Sequence, residues 1–273
     1  LSSGEKIMKI ALIGGGNMGE AMLVAVLAKS LAQPASISVS DVSQPRLEHL
    51  KKQYSVTVAP ANPEAVLGKD IIILAVKPQN LAELMAELKG KIAADQLVLS
   101  IIAGAKIDTI SQGLDHSAVV RAMPNTPARV GEGMSVWTAT PEVTAEQKRA
   151  AKAILGAMGK ELYVGDEAYL DMATAVSGSG PAYFFLMVEA LVDAAVEIGL
   201  TRDTAQELVL QTMLGSGRFI QSSDEAPAEL RQKVTSPGGT TAAALEQFGE
   251  GAFNELVRRA VRAAYERAKE LGK

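Results

Sequence analysis

The stretch Lys9-Ile10-Ala11-Leu12-Ile13-Gly14-Gly15-Gly16-Asn17-Met18-Gly19 decides the fold. An apolar, β-branched run meets a Gly-x-Gly-x-x-Gly turn, and a helix-period stretch from Met18 to Leu31 follows directly. Gly14 permits a tight turn, Gly16 lets a pyrophosphate approach the backbone, and Gly19 lets the helix pack closely on the strand. The free N–H groups at the helix start then hold phosphate oxygens. A second run, Ile37 to Ser40, ends at Asp41, about 20 residues on, where an acid meets the adenosine ribose of a dinucleotide.

Outward from this unit, β-branched runs recur at Ile71 to Val76, Leu97 to Ile102, Val119 to Ala122, Ser135 to Thr138 and Glu161 to Val164. Between them lie helix-period stretches such as Pro45 to Gln53 and Thr144 to Met158, the last opening with Thr144 and Gln147 in capping-box spacing. This alternation predicts parallel β-α-β units. Ile71 to Val76 is apolar at every position, so both faces of that strand are expected to be covered, as in a doubly wound sheet. After about Gly165 the runs stop and the rest reads as helix. The expected organisation is α/β: a doubly wound dinucleotide-binding domain of the Rossmann type over 8–165, then an all-helical domain over 166–273. Pro181 suits a first helical turn, and Gly199 suits the end of the helix it opens. Along that helix Glu189, Asp193 and Glu197 form one acidic stripe, while Phe184, Phe185, Leu186, Val188, Leu191, Val192 and Val196 fill the other faces. Such a helix is either a central core element or a subunit interface.

Composition removes several functions. The 273 residues include 27 Lys and Arg against 31 Asp and Glu, spread along the chain, which leaves no basic arm for nucleic acid. Without cysteine there is no disulfide, thiolate metal site or cysteine nucleophile, and with only His49 and His116 no metal is expected. Both histidines read as surface residues. The longest uncharged run, Met172 to Val188, is interrupted by Gly178-Ser179-Gly180-Pro181, so no membrane span is expected. The first seven residues read as a remnant ahead of a start at Met8, and the expected location is the cytoplasm.

Asp41 bears on the cofactor, NADPH or NADH. A carboxylate accepts from a free 2′-hydroxyl and repels a 2′-phosphate, which tilts the reading toward NADH. Against it, Arg46 is near enough in sequence to offer a guanidinium, and Asp41 could be a helix cap. A second cluster of small polar residues, Ser236-Pro237-Gly238-Gly239-Thr240-Thr241, leads into Ala242-Ala243-Ala244-Leu245-Glu246. Consecutive backbone N–H groups at a helix start suit a carboxylate, while an ordinary capped turn would look the same.

In order behind the glycine turn come Ala75-Val76-Lys77-Pro78, Met123-Pro124-Asn125-Thr126-Pro127, Ser177-Gly178-Ser179-Gly180-Pro181-Ala182-Tyr183 and Ser236 to Thr241. Together they closely resemble the pyrroline-5-carboxylate reductase family over essentially the whole chain from Met8. The resemblance implies reduction of Δ1-pyrroline-5-carboxylate to L-proline with NADH or NADPH, the last step of proline biosynthesis. It also implies that the helical domain over 166–273 serves substrate binding and dimerisation, interleaving with a second copy in dimers often assembled into decamers. Carried over by motif, Gly14, Gly16, Asn17, Met18 and Gly19 hold the pyrophosphate. Asp41 stands near the ribose 2′ group, where family members often have a small hydroxyl residue, a departure from the usual NADPH preference. Asn62 matches a position at the adenosine end of the cleft, with a helix cap after Pro60 as its other reading. Ala75, Val76, Lys77 and Pro78 match residues beside the nicotinamide ribose, and Ala103 and Gly104 end the next strand in a matching way. The Gly238, Gly239 and Thr240 amides with Ser236 resemble a substrate-carboxylate clamp, and Thr241 the hydroxyl next to the ring nitrogen, so Ser236 and Thr241 are the candidate catalytic pair. Glu167 matches an acidic residue near the substrate, with a solvated helix start as its other reading.

The chemistry agrees with these residues. Ketone reduction creates an alkoxide, which dehydrogenases usually protonate from a His or Lys. A cyclic imine can be protonated on nitrogen before hydride arrives, so its site mainly orients and hydrogen-bonds. No Lys occurs from Glu161 to Gln232, where a β-hydroxyacid dehydrogenase, the nearest alternative, would present its catalytic lysine. A non-catalytic nicotinamide-binding redox sensor is the second alternative; it needs the glycine turn but no carboxylate clamp.

Overall fold

The computed structural model describes residues 7–272; the first six positions of the expected remnant lie outside them. The strands are β1 (Ile10–Ile13), β2 (Ile37–Ser40), β3 (Thr57–Val58), β4 (Ile71–Leu74), β5 (Leu97–Ser100), β6 (Val119–Met123), β7 (Gly133–Ala139) and β8 (Gly159–Tyr163). The helices are α1 (Asn17–Ala28), α2 (Gln44–Tyr54), α3 (Asn62–Val66), α4 (Leu81–Leu88), α5 (Ile107–Leu114), α6 (Ala145–Ala157) and α7 (Ala168–Ala173), then α8 (Gly180–Glu197), α9 (Arg202–Ser222), α10 (Pro227–Lys233), α11 (Thr240–Glu250) and α12 (Phe253–Leu271).

Among the described residues one sheet runs β3-β2-β1-β4-β5-β6-β7-β8. Register is continuous through its centre: Ile10 pairs with Ile37 on one side and Ile71 on the other. The all-apolar strands make this possible, because alternate residues feed two separate cores. Ile10, Leu12, Ile71 and Ile73 pack with Met22 and Val26 on one face. Ala11, Ile13, Ile72 and Leu74 pack with Leu84, Leu88 and Ile110 on the other. The order of strands reverses at β1, whose successors go to β2 on one side and β4 on the other, and a crevice opens at the carboxyl ends of such strands.

The expectation of parallel units holds through β6 and fails at β7, which runs antiparallel to β6. The link between them is too short for a crossover helix and holds only the 3₁₀ turn Thr126–Val130. The edge strand β3 gave no sequence signal, being two residues long. His116 is not a surface residue: it is 7% exposed and its Nε2 lies 2.8 Å from the Gln96 carbonyl oxygen.

The chain divides into two compact units, residues up to Ser179 with Ala264–Lys273, and Gly180–Ala263. The first unit thus extends past Gly165, where the strand pattern stops. The reason is Arg121 on β6, 4% exposed, which donates from Nη1 to Glu167 Oε1 at 2.7 Å and from Nη2 to Asp171 Oδ1 at 3.1 Å. These pairs tie α7 to the sheet.

In the second unit α8 packs on α9. Gly199 ends α8 at φ +107°, as a C-terminal glycine should. Phe184, Phe185 and Leu186 are 63–65% exposed in the single chain, which favours the interface reading of this helix over the core reading. The expectation that no segment is long and apolar enough to cross a membrane is corrected for one run. By length and composition alone, residues 168–197 pass as a helical run of 30 residues. Within that run the backbone widens into a π turn at Thr174–Gly178 ahead of α8.

Candidate active site

In the first unit the glycine turn sits at the strand-order reversal, and its geometry follows from close backbone contacts. Gly14 adopts φ +101°, and a Cβ there would lie 2.7 Å from the Ala75 carbonyl oxygen. A Cβ on Gly19 would lie 2.2 Å from the Gly14 oxygen, so α1 can reach the turn only with glycine at that position. Gly16 is the contrast: it caps α1 in extended backbone, is exposed, and a Cβ on it would meet nothing within 4 Å. The open space over Gly16, Asn17 and the half-buried Met18, beside the first amides of α1, fits a pyrophosphate.

The residues expected around this turn gather there. Gly14 N–H donates to the Ser40 oxygen and Ala75 N–H to the Ile13 oxygen, which locks the ends of β1, β2 and β4 together. Asp41 Oδ2 accepts from Gly15 N–H at 2.7 Å and Oδ1 from Ser43 N–H at 2.8 Å. Asp41 therefore braces the glycine turn; the residue at the N-cap of α2 is Ser43. Asn62 is not a cap either, since Ala61 holds that position. Its side chain accepts from Ser40 Oγ at 2.7 Å and donates to Glu87 Oε2 at 2.6 Å, a bridge at the end of β2. Val76 is half-buried and Lys77 and Pro78 are exposed at the carboxyl end of β4. Ala103 and Gly104 follow β5, and Gly104 at φ +75° is close-packed, its Cβ position 2.6 Å from the Leu271 oxygen.

Arg46 does not stand free. Its Nε donates to the Gly15 oxygen and its Nη2 pairs with Glu20 on α1. Glu20 also accepts from Tyr54 Oη at 2.8 Å and lies 3.2 Å from His49 Nε2. Burial pushes the Glu20 carboxyl up, but the hydrogen bonds from Arg46, Tyr54 and His49 outweigh it and hold the group below the usual glutamate value. Burial and the adjacent Glu20 push the Tyr54 phenol up.

Glu167 belongs to the first unit and is not a solvated helix start, because its Oε1 accepts from both Ile107 N–H at 2.8 Å and Arg121. Sequence reasoning passed over Arg121, Asp171 and Glu20. The signal for the first was an arginine inside the apolar strand Val119-Val120-Arg121-Ala122, which demands buried acidic partners. Nothing local marks the acids it finds.

The Ser236 to Thr241 cluster lies in the second unit. Gly238 takes φ +70° with nothing within 4 Å of a Cβ position. Gly239 is the N-cap of α11, and its N–H donates to the Ser236 oxygen at 3.0 Å. A Cβ on Gly239 would fall 2.5 Å from Ser236 Oγ, so glycine is what lets that hydroxyl lie over the turn. Ser236 and Thr240 are exposed and Thr241 is half-buried in the first turn of α11. The result is a hydroxyl and successive helix-start amides without a side chain in front of them, a suitable cradle for a carboxylate.

Similarity to known proteins agrees with both units. A family model described as pyrroline-5-carboxylate reductase dimerisation matches residues 167–271, and one described as NADP oxidoreductase, coenzyme F420-dependent, matches residues 9–104. A pyrroline-5-carboxylate reductase from Synechocystis is 45% identical over 266 residues, 97% of this chain and 99% of the relative. The chain belongs to the pyrroline-5-carboxylate reductase family. The solved reductase from Coxiella burnetii superposes with a TM-score of 0.90 at 38% identity, covering 98% of this chain and 100% of that one. The Plasmodium falciparum enzyme, solved with NADP bound, also gives a TM-score of 0.90, at 31% identity, over 99% of this chain and 100% of that one. The chain is an oxidoreductase with a nicotinamide-binding domain of the Rossmann type followed by a helical dimerisation region.

Proposed function

We propose that this chain reduces L-Δ1-pyrroline-5-carboxylate to L-proline with NADH or NADPH, closing proline biosynthesis in the cytoplasm. The observation that carries the reading is that a family member holds, each in its own unit, both an open cradle over Gly16 and a glycine-lined cradle at the start of α11. A redox sensor would need only the first. A bound reduced nicotinamide supplies the hydride; everything else is assigned to the chain's own groups. Gly14, Gly16, Asn17, Met18 and Gly19 bind the pyrophosphate, with Asp41 and Asn62 toward the adenosine. Ala75, Val76, Lys77, Pro78 and Ala103 line the nicotinamide end. Ser236 and the amides of Gly238, Gly239 and Thr240 hold the substrate carboxylate, and Glu167 supports the substrate pocket. Thr241 Oγ1 accepts a hydrogen bond from the ring nitrogen, protonated from solution before hydride arrives, so the imine carbon faces hydride transfer in one orientation.

No strong acid is required of the chain, and its histidines agree: His116 is buried against Gln96, and His49 is engaged with Glu20. Asp41 favours NADH, since its carboxylate stands beside the turn and would repel a 2′-phosphate. The chain works as a dimer through its helical region, with the decamer as the larger assembly that the resemblance implies, and it takes a small-molecule substrate without membrane or nucleic acid.

Replacing Thr241 by Ala tests the assignment. The variant is expected to lose about tenfold or more in kcat/KM for the imine, the scale of one transition-state hydrogen bond, while NADH binding stays near the parent value. An unchanged kcat/KM would remove Thr241 from the mechanism.

A further inference from the structure

Arg46 and Asp41 flank the same glycine. A Cβ built on Gly15 would lie 3.6 Å from Asp41 Oδ2 and 3.7 Å from Arg46 Cγ. An arginine beside the ribose-facing acid is the group that could rescue binding of a 2′-phosphate, because a guanidinium pairs with phosphate through parallel N–H bonds. Here that guanidinium is already committed. Its Nε is on the Gly15 oxygen and its Nη2 on Glu20, which also holds Tyr54 and His49.

We propose that Glu20 is a specificity-determining residue for the cofactor: by sequestering Arg46 it withholds the guanidinium from a 2′-phosphate and favours a dinucleotide with a free 2′-hydroxyl. The inference rests on the reading of Asp41 as the ribose-facing acid and assigns a second, separate residue to the same choice. Glu20 is well placed for it. It lies in the first turn of α1, where the helix dipole favours an anion, and its backbone N–H is fixed to the Gly16 oxygen at 2.8 Å. A 2′-phosphate that recruits Arg46 has to share the guanidinium with the half-buried Glu20 carboxylate, which offsets the positive charge the phosphate would otherwise meet. A 2′-hydroxyl asks nothing of Arg46. The two carboxylates therefore act together, Asp41 by direct repulsion and Glu20 by neutralising a nearby cation that would offset it.

The test is a binding titration without imine, following the fluorescence of NADH and of NADPH, in the parent chain and in Glu20→Ala, Glu20→Gln, Asp41→Ser and Glu20→Ala/Arg46→Ala. Both Glu20 variants are expected to raise NADPH affinity relative to NADH by about threefold to fivefold, the scale of a partly exposed ion pair. Glu20→Gln keeps an acceptor for Arg46 and Tyr54 and so guards against loss of the fold. Adding Arg46→Ala should cancel the gain. An unchanged ratio in both Glu20 variants while Asp41→Ser moves it would overturn the role of Glu20 and leave Asp41 as the selector. A gain that survives Arg46→Ala overturns it too. If Asp41→Ser leaves the ratio unchanged as well, the reading of Asp41 falls and this inference falls with it.

Discussion

Gly16 and Gly19 belong to one turn and carry opposite constraints. At Gly19 a methyl group would meet the Gly14 oxygen at 2.2 Å, a backbone atom that cannot swing aside, whereas at Gly16 it would meet open space. Gly19→Ala is therefore expected to destabilise the fold by about 1–3 kcal/mol in a denaturant titration. Gly16→Ala should leave the unfolding midpoint near the parent value and still weaken dinucleotide binding, because its methyl group fills space meant for phosphate. Equal loss of stability in both variants would show that the cradle is structural packing rather than a binding site. At this scale the sequence was legible where a residue's reason is local: the glycines follow from strand, turn and helix. It was not legible at Asn62, which bridges Ser40 and Glu87 rather than capping a helix, because both partners come from distant elements. Arg46 is the same case, its partner Glu20 lying on the preceding helix.

Elements were readable in proportion to how far their pattern decides their environment. β4 and β5 are buried at every position, as continuous apolar runs are in a sheet covered on both faces. The Thr144 and Gln147 capping box forms as its spacing predicts, with Gln147 N–H donating to Thr144 Oγ1 at 3.2 Å. The edge strand β3 is set by pairing with β2, which its own two residues do not encode. The placement of α7 is likewise tertiary, because it depends on Arg121 meeting Glu167 and Asp171. Arg121→Met is expected to cost about 3 kcal/mol in unfolding free energy by leaving two carboxylates without their cation. Hydrogen exchange should locate the loss, with amides of α7 losing protection before those of β1 and β4. Unchanged protection in α7 would mean that packing holds the segment without the ion pairs.

For the whole molecule, the apolar face of α8 and the match of residues 167–271 to a dimerisation family point the same way. Phe184, Phe185 and Leu186 carry large apolar area into solvent in a single chain, and covering it supplies the driving force for association at about 25 cal/mol per Å². Replacing Phe184 and Leu186 by Glu should shift the protein to monomers in sedimentation velocity and lower turnover with it. Full assembly in that variant would place the contact on another face.

The two cradles are proposed to serve one reaction on a cyclic imine. The direct measurement mixes purified protein with Δ1-pyrroline-5-carboxylate and either NADH or NADPH, following absorbance of the reduced nicotinamide together with proline formed. Rapid loss of absorbance is expected, matched one for one by proline and faster with NADH at limiting cofactor. Folded protein that binds NADH yet neither oxidises it nor forms proline would contradict that proposal.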